Sequence, residues 1–432
     1  MTMRILWLSK TPGLYPFPGN ASGYNGGGWI SSLQELLRNN KEIELAVAFL
    51  TKEKLKELND DNFHYYPIKA KKESNIKKLA RYYGVVNSVN NDGYEKAVFD
   101  IVNKFKPDII HIFGLENEMI NILGMTNIPE IVHLQGLLGP YNNAFWPIDY
   151  NATSFLWPFS IREWIVKNGY RFEKRNMYER AKIEESLFSR LKYAMGRTNW
   201  DKQITSLLSP KCFYFHVDEV LRPEFYLHKG EWQPSGKTKV IITSTISDTM
   251  YKGFDVVLKT AHLLKRKTNI DFEWQIAGLN KTARIVKFFE GKLGYTSESV
   301  NIKFCGVLSE YQLCQQLLAS SLYVHPSYID NSPNSVCEAQ LLGLPVIATN
   351  VGGISSLITS GEDGFLVPAN APYELAEYIK ELSASTDMSK QISQHGYSRA
   401  LQRHDKNKIL VSLTNTYKAI TKQRNGIVKH NI

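Results

Sequence analysis

The sequence predicts an α/β protein of two domains, each built on a parallel sheet. Three observations predict it. The chain has 432 residues, beyond the roughly 250–300 at which a single core stops growing. Brief apolar runs ending in polar or glycine turns alternate with stretches of helical spacing along the chain. The alternation forms two series, separated by the polar stretch "HKGEWQPSGKTK".

The first series opens with "RILWLS", short and apolar, followed by "GNASGYNGGG", which cannot hold regular structure, and "WISSLQELLRNN", whose apolar spacing is helical. "IELAVAFL", "DIIHIFG", "EIVHLQG" and "YAMGRTN" continue as buried strands. Between the last two lies a long aromatic and basic excursion, at about 137–190. Trp146, Phe155, Trp157 and Phe159 stand among prolines in its first part, and its last part is helical with mixed charges. Such aromatics suit a membrane interface, an acceptor groove or packing against the domain's own helices.

The second series runs "VIITST", "FEWQIAG", "NIKFCG", "LYVHPS", "PVIATN" and "GFLVP". Each series reads as Rossmann-like, with a cleft between the two and functional loops at the carboxyl ends of the strands. The domains expected are 1–206, 207–405 and a last amphipathic helix within 406–432 that crosses back to the first domain.

Composition is that of a globular protein, with 43% apolar and 22% charged residues. Cys212, Cys305, Cys314 and Cys337 form no C-x-x-C pair, so neither a zinc site nor a disulfide framework is expected. No signal peptide is read at the N-terminus and no apolar run approaches the ~18 residues of a spanning helix, so a cytoplasmic protein is expected. The net charge of +10 suits an anionic partner, and a basic cluster comprises Lys69, Lys71, Lys72, Lys77, Lys78 and Arg81. Nucleic acid ranks low as that partner, because no recognisable binding module is present and the basic residues are dispersed.

Three places carry candidate chemistry. Gly26, Gly27 and Gly28 follow the first strand and open a helix, where amides and the positive helix end can face a phosphate or a sugar, or simply form a turn. Lys252, in "MYKGFDVVLKTAHLL", follows the strand "VIITST" and is a point charge suited to a diphosphate, or a solvated surface lysine. The third is "YIDNSPNSVCEAQLLGLPVIATNVGG", from Tyr328 to Gly353, in which Asp330 and Glu338 flank a turn and a helix start. Ser335 and Glu338 have capping-box spacing, which by itself would make Glu338 a helix cap.

The longer run "HPSYIDNSPNSVCEAQLLGLPVIATNVGGISSLITSGEDGFLVP" resembles the signature of retaining GT-B glycosyltransferases of the "glycosyl transferases group 1" class, which carry a Glu-x7-Glu motif in the second domain. The "KG" at 252–253, "IAG" at 276–278 and "FCGVLSEYQL" at 304–313 support the likeness, and "GRTNWD" and "LRPEFY" are similar to a bacterial polysaccharide-assembly branch. The resemblance implies a GT-B fold with an N-terminal acceptor domain and a C-terminal nucleotide-sugar domain. It implies that Glu338 holds the donor ribose and that Asp330 stands in the first acidic position, near the sugar. Asn331, Asn334, Ser335 and Val336 would meet the sugar and the distal phosphate, Lys252 the diphosphate, and Gly306, Val307 and Leu308 the base. Gly27 and Gly28 would approach the diphosphate from the first domain.

The sequence departs from that pattern in three ways. Asp330 is one methylene shorter than Glu. The arginine expected a few residues before Lys252 is missing, so Lys252 would act alone or borrow Arg197 or Arg222. Gln135 stands where many relatives carry a histidine; it is a candidate for touching the donor sugar, with His133 on the same strand face in a core or supporting role. The activity implied is transfer of a sugar from a nucleotide diphosphate donor, a UDP- or GDP-sugar, to a hydroxyl acceptor, with retained configuration and no cofactor. No metal is expected, since no Asp-x-Asp stands at a strand end. Cell-surface polysaccharide assembly is the expected setting, with a sugar or lipid-linked saccharide as acceptor and an anionic inner-membrane surface as a partner. An epimerase or phosphorylase of similar architecture is the main alternative, and a nucleic-acid-binding protein the more distant one.

Overall fold

The computed structural model describes residues 2–17, 28–71, 93–151, 169–234 and 238–430, with side chains to 423. Gly26, Gly27, Phe155, Trp157, Phe159, Lys72, Lys77, Lys78 and Arg81 lie outside the described residues. The chain divides into two compact units, one of residues 1–142, 159–220 and 404–432, the other of 143–158 and 221–403.

The first unit holds an eight-stranded sheet in the order β3-β4-β2-β1-β5-β6-β7-β8. The strands are β1 (Met3–Ser9), β2 (Ile43–Thr51), β3 (Leu58–Asp60), β4 (Phe63–Lys69), β5 (Ile109–Phe113), β6 (Glu130–His133), β7 (Tyr193–Gly196) and β8 (Phe213–His216). All pair in parallel except β3, which runs antiparallel to β4. Its helices are α1 (Gly28–Leu37), α2 (Tyr94–Phe105), α3 (Leu138–Asn143), α4 (Tyr170–Phe188) and α5 (Asn199–Leu208). Ile5, Leu6, Trp7 and Leu8 are all buried, as both-sided burial in a parallel sheet demands. Strand order reverses between β1 and β5, the place where loops diverge and leave a crevice.

The second unit holds a six-stranded parallel sheet, ordered β11-β10-β9-β12-β13-β14. These are β9 (Val240–Thr245), β10 (Phe272–Ala277), β11 (Ile302–Gly306), β12 (Leu322–His325), β13 (Val346–Thr349) and β14 (Phe365–Val367). Here the reversal lies between β9 and β12. Its helices are α6 (Pro223–Leu227), α7 (Phe254–Lys267), α8 (Arg284–Leu293), α9 (Glu310–Leu318), α10 (Asn334–Leu342), α11 (Pro372–Ala384) and α12 (Thr386–Arg403). The central strands are tied by side chains as well as by the ladder: the Trp274 indole donates to Ser244 Oγ (3.0 Å), which donates to the Val324 carbonyl (2.7 Å). Buried hydroxyls in such a place need partners, and these have them.

Helix α13 (Lys406–His430) belongs to the first unit. Its Tyr417, fully buried, accepts from the Trp7 indole (3.1 Å) and meets His111 Nδ1 (2.7 Å). No helix among the described residues is long and apolar enough to cross a membrane.

Two sequence expectations change. The first domain does not stop at 206: β8 pairs in parallel with β7, so the first sheet continues past that point and the first unit reaches Val220. The polar stretch after α6 is no loose linker at its start. Gly230 and Trp232 donate backbone bonds to the carbonyls of Leu341 and Leu342, and the buried Trp232 indole donates to the Ser320 carbonyl at 2.7 Å. One large apolar ring with a satisfied N–H outweighs its polar neighbours.

Candidate functional site

In the second unit, the loops after β9 and β12 leave the sheet at its reversal point and lock onto each other. Lys252 ends a short 3-10 turn (Met250–Lys252) after β9. Gly253, next to it, has φ +74°, and a Cβ there would come within 1.9 Å of the Pro326 carbonyl oxygen, in the loop after β12. Only glycine allows that approach. The Tyr328 amide donates to the Tyr251 carbonyl at 2.7 Å, a second tie between the same loops.

This closeness brings Lys252 Nζ to 2.6 Å from Asp330 Oδ2. His325 Nε2, from the last residue of β12, lies 3.2 Å from the same oxygen. Burial works against the Asp330 charge, but Lys252 and His325 overcome it and hold the carboxyl well below the usual carboxylate range. Burial likewise opposes the Lys252 ammonium, and Asp330 raises its pKa above the ordinary lysine value regardless. His325 is lowered, chiefly by burial. The triad is therefore a lysine cation and an aspartate anion beside a histidine biased toward neutrality.

Asp330 is fixed from the other side too. Its own Oδ1 accepts from the Asn331 amide (3.1 Å), and its carbonyl accepts from Gly353 (3.0 Å). Gly352, with φ +54°, would place a Cβ 1.9 Å from that carbonyl. The glycine pair ending "NVGG" is thus explained by contact with the Asp330 backbone.

Helix α10 starts directly after this loop. Asn334 and Ser335 are partly exposed in its first turn, and Val336 is buried. The capping-box expectation fails. Pro333 is the N-cap and makes no side-chain cap bond, so Glu338 falls on the fifth residue of the helix. Its carboxylate instead accepts two bonds from Arg222, Nε to Oε1 and Nη2 to Oε2, each 2.7 Å. Glu338 is 1% exposed. A capping box does form at Ser309 and Gln312, at the start of α9.

Arg222 is therefore bound to Glu338 rather than standing as a spare cation for Lys252. Gly306 ends β11 at φ +67°, Val307 is exposed, and Leu308 is half-buried against the core beneath α10. No bond joins these three to Lys252 or Asp330 among the described contacts.

In the first unit, β6 ends at His133, so Gln135 lies beyond the strand and the expected shared face does not extend to it. The Gln135 carbonyl accepts from Arg197 Nη2 (3.3 Å), and Arg197 lies over the Trp29 ring, 4.9 Å from its centroid. His133 is fully buried edge-on to Trp29 and stacked near His111 and Phe113. Burial first, then His111 and Arg197, keep it neutral. Gly28 begins α1, and Gly27 lies outside the described residues.

Sequence reasoning missed a polar cluster at the reversal point of the first sheet. Lys10 follows β1, Glu116 follows β5, and Arg180 and Glu184 come from α4. Arg180 donates to the Glu116 carbonyl (3.1 Å), and burial lowers the Lys10 pKa against the pull of Glu116. Glu184, 3% exposed, accepts from the Gly139 amide (3.2 Å). Burial pushes its carboxyl up to about 7, against the amides of Leu138 and Gly139. Its only sequence signal was a glutamate on the otherwise apolar face of a helix.

Residues 228–399 match the family described as "Glycosyl transferases group 1". The matched residues lie within the second unit. Among curated proteins, the D-inositol 3-phosphate glycosyltransferase of Paenarthrobacter aurescens (strain TC1) is 31% identical over 160 residues, 35% of this chain and 38% of that protein. The capsular polysaccharide biosynthesis glycosyltransferase CapM of Staphylococcus aureus is 29% identical over 106 residues, 24% of this chain and 28% of that protein. The matched stretches thus span well under half the length of these relatives. Among solved structures, sucrose-phosphate synthase from Thermosynechococcus elongatus matches 98% of this chain and 100% of its own at a TM-score of 0.70 and 13% identity. Anabaena HepE, in complex with UDP and glucose, matches 96% and 99% at 0.61 and 14%. The fold is GT-B, with two α/β units on parallel sheets, as the resemblance implied.

Proposed function

We propose that the chain is a retaining glycosyltransferase that moves a sugar, of the hexose type, from a UDP- or GDP-sugar to a hydroxyl acceptor. The observation that carries this reading is the Lys252–Asp330 pair, joined at the strand reversal of a group 1 domain beside the start of α10. A nucleotide diphosphate needs positive charge at its phosphates and a hydrogen-bonding group at its ribose. Lys252 offers the first. An ammonium has three donors, so one can rest on Asp330 while the others meet phosphate oxygens. The amides of Asn334 and Ser335, at a helix N-terminus, suit the distal phosphate and the sugar, with the Val336 amide turned to the Pro333 carbonyl at 3.0 Å, and Glu338 suits the ribose hydroxyls.

In the reaction, the bond from the anomeric carbon to the phosphate oxygen breaks as the acceptor oxygen bonds to the same face of that carbon. The acceptor proton passes to the departing phosphate. Charge developing on the diphosphate is met by Lys252 and the helix amides, whose fixed placement is the main source of rate. Asp330 keeps Lys252 ordered and lies within reach of a sugar hydroxyl, with Asn331 beside it. Gly306, Val307 and Leu308 are read as neighbours of the base. No resident cofactor or metal is part of this reading.

The likeness to CapM supports a setting in cell-surface polysaccharide assembly. A lipid-linked saccharide at an anionic inner-membrane surface fits the net charge of +10. The test is a thermal-shift screen of UDP-, GDP- and ADP-sugars, followed by NMR of the product formed with saccharide acceptors. A stabilising nucleotide-sugar and a product with the donor's anomeric configuration are expected. Stabilisation by none of them would overturn the reading, and an inverted product would overturn retention.

A further inference from the structure

Tyr328 grips the loop of Lys252 on both sides of the lysine. Its amide donates to the Tyr251 carbonyl at 2.7 Å, and its hydroxyl donates to Asp255 Oδ2 at 2.8 Å. Tyr251 directly precedes Lys252, and Asp255 lies just after it in the first turn of α7. Tyr328 itself is buried and stands shortly before Asp330 in the loop after β12. The carboxylate it meets is fixed in turn. Lys259, one turn further along α7, has Nζ 3.1 Å from the same Asp255 oxygen and 3.0 Å from Asn370 Oδ1. Burial pushes the Asp255 pKa up, and Lys259 and the Tyr328 hydroxyl pull against it.

A stretch expected in the first domain closes this network, for residues 143–158 belong to the second unit. There the Tyr150 ring packs on Phe289 with centroids 5.3 Å apart, and Lys259 Nζ lies 5.8 Å from the Tyr150 centroid and 4.0 Å from Asp149 Oδ2. Phe145, fully buried, lies against Tyr251 at 6.4 Å. The stretch thus touches Lys259 at one end and the neighbour of Lys252 at the other.

A buried tyrosine hydroxyl needs a partner, and any acceptor would satisfy it. Here the acceptor is a carboxylate in the helix that continues the Lys252 loop, so the bond spans both loops and is of the stronger, charge-assisted kind. Without it, Tyr328 holds the Lys252 loop at residue 251 alone.

We propose that Tyr328, through Asp255 and Lys259, is a positioning residue for the Lys252 ammonium, and that it thereby sets a preference of the donor site for a nucleoside diphosphate over a monophosphate. The preference rests on the proposed reading of Lys252 as the diphosphate contact.

The test has two readouts, taken on the full chain and on Tyr328→Phe, Lys259→Met and Lys259→Arg. The first is the rate at which acetic anhydride acetylates Lys252, followed by mass spectrometry against Lys390, which is exposed on α12. Tyr328→Phe and Lys259→Met should raise that rate about tenfold, the scale of one charge-assisted bond, and Lys259→Arg should restore it to near the wild-type rate. The second is calorimetric binding of UDP and GDP beside UMP and GMP. The wild-type chain is expected to bind at least one diphosphate about tenfold more tightly than its monophosphate. Tyr328→Phe should weaken the diphosphate about tenfold and leave the monophosphate within about threefold, so that the ratio collapses. A purely structural role would lower both affinities alike and leave Lys252 acetylation unchanged. An unchanged acetylation rate in Tyr328→Phe, or an unchanged ratio in a chain that binds nucleotide, overturns the inference, and Tyr328→Phe decides alone where Lys259→Met does not fold. A wild-type chain that binds both forms alike overturns the preference. One that binds none of the four nucleotides overturns the reading of Lys252 as the diphosphate contact, while acetylation still decides whether Tyr328 positions it.

Discussion

Lys252 and Asp330, 78 residues apart in sequence, meet as a part-buried ion pair with Nζ 2.6 Å from Oδ2, and each follows one of the two strands between which the second sheet reverses. Removing the lysine leaves a carboxylate whose side chain is only 11% exposed. Breaking such a pair from one side costs about 3 kcal/mol, largely as the penalty on the stranded charge. Lys252→Met should therefore destabilise more than Lys252→Met/Asp330→Asn together. Equal losses in denaturant midpoints would show that the pair is not coupled.

The same pair makes a kinetic prediction. Asp330→Asn keeps a polar group of the same size but removes the charge that orders Lys252. Turnover should fall on the order of 100-fold, with nucleotide affinity changed by no more than about threefold, because the proposed contact is to the sugar. A parallel loss of nucleotide binding would move Asp330 from the sugar to the diphosphate.

Glu184 gives the molecule a pH dependence of opposite sign to that of an ion-paired carboxylate. Its folded-state pKa is raised from 4.5 to about 7 by burial. Above about 4.5 the unfolded chain has lost a proton that the folded protein still holds, so stability falls as pH rises from there to about 7. The loss is on the order of 3 kcal/mol. Glu184→Gln keeps an acceptor for the Gly139 amide and removes the titration. Its urea midpoint should lie above that of the wild-type chain at pH 8 and approach it at pH 5, and a difference independent of pH would rule this out.

Much of the second unit was legible because its signals are local. "VIITST", "LYVHPS" and "PVIATN" are apolar runs of strand length, and they became β9, β12 and β13. The strand-end position of Lys252 was legible for the same reason. What could not be read were contacts set by tertiary approach. Nothing near Glu338 in sequence points to Arg222, and the Ser335–Glu338 spacing suggested a cap because the N-cap position of Pro333 cannot be deduced from spacing alone. His325 ends a buried strand and gives no sign that it stands 3.2 Å from Asp330. The boundary error at 206 has a similar origin, since the exposed ring of Phe213 and partly exposed Phe215 blurred the pattern of β8, a strand at the edge of the first sheet.

Gly253 is expected to matter as much as the lysine before it. Alanine there combines a left-handed φ of +74° with a Cβ that would lie 1.9 Å from the Pro326 carbonyl oxygen, so the loops after β9 and β12 must part. Strain of that kind costs about 1–3 kcal/mol before the clash is counted. Gly253→Ala should lower the unfolding midpoint and abolish nucleotide binding, although no charged group is removed. Wild-type affinity in this variant would mean that the loops are not held together for binding.

Tyr417 tests whether α13 contributes to the stability of the first unit. Its hydroxyl accepts from the Trp7 indole at 3.1 Å and stands 2.7 Å from His111 Nδ1. Burial lowers the His111 pKa to about 3, so the ring is neutral and Nδ1 can accept the tyrosine proton. One hydroxyl thus satisfies two buried groups on adjacent strands β1 and β5. Tyr417→Phe fills nearly the same volume and strands both groups, at about 1–3 kcal/mol each way of counting the lost partner. The expected outcome is a lowered unfolding midpoint with a changed Trp7 fluorescence environment, while Asn415→Ala, on an exposed position of the same helix, leaves both nearly unchanged. If Tyr417→Phe unfolds at the wild-type midpoint, the helix is held by its other contacts, among them the bond from Tyr193 to Gln423 at 2.8 Å, and the hydrogen-bonded chain through Tyr417 is incidental.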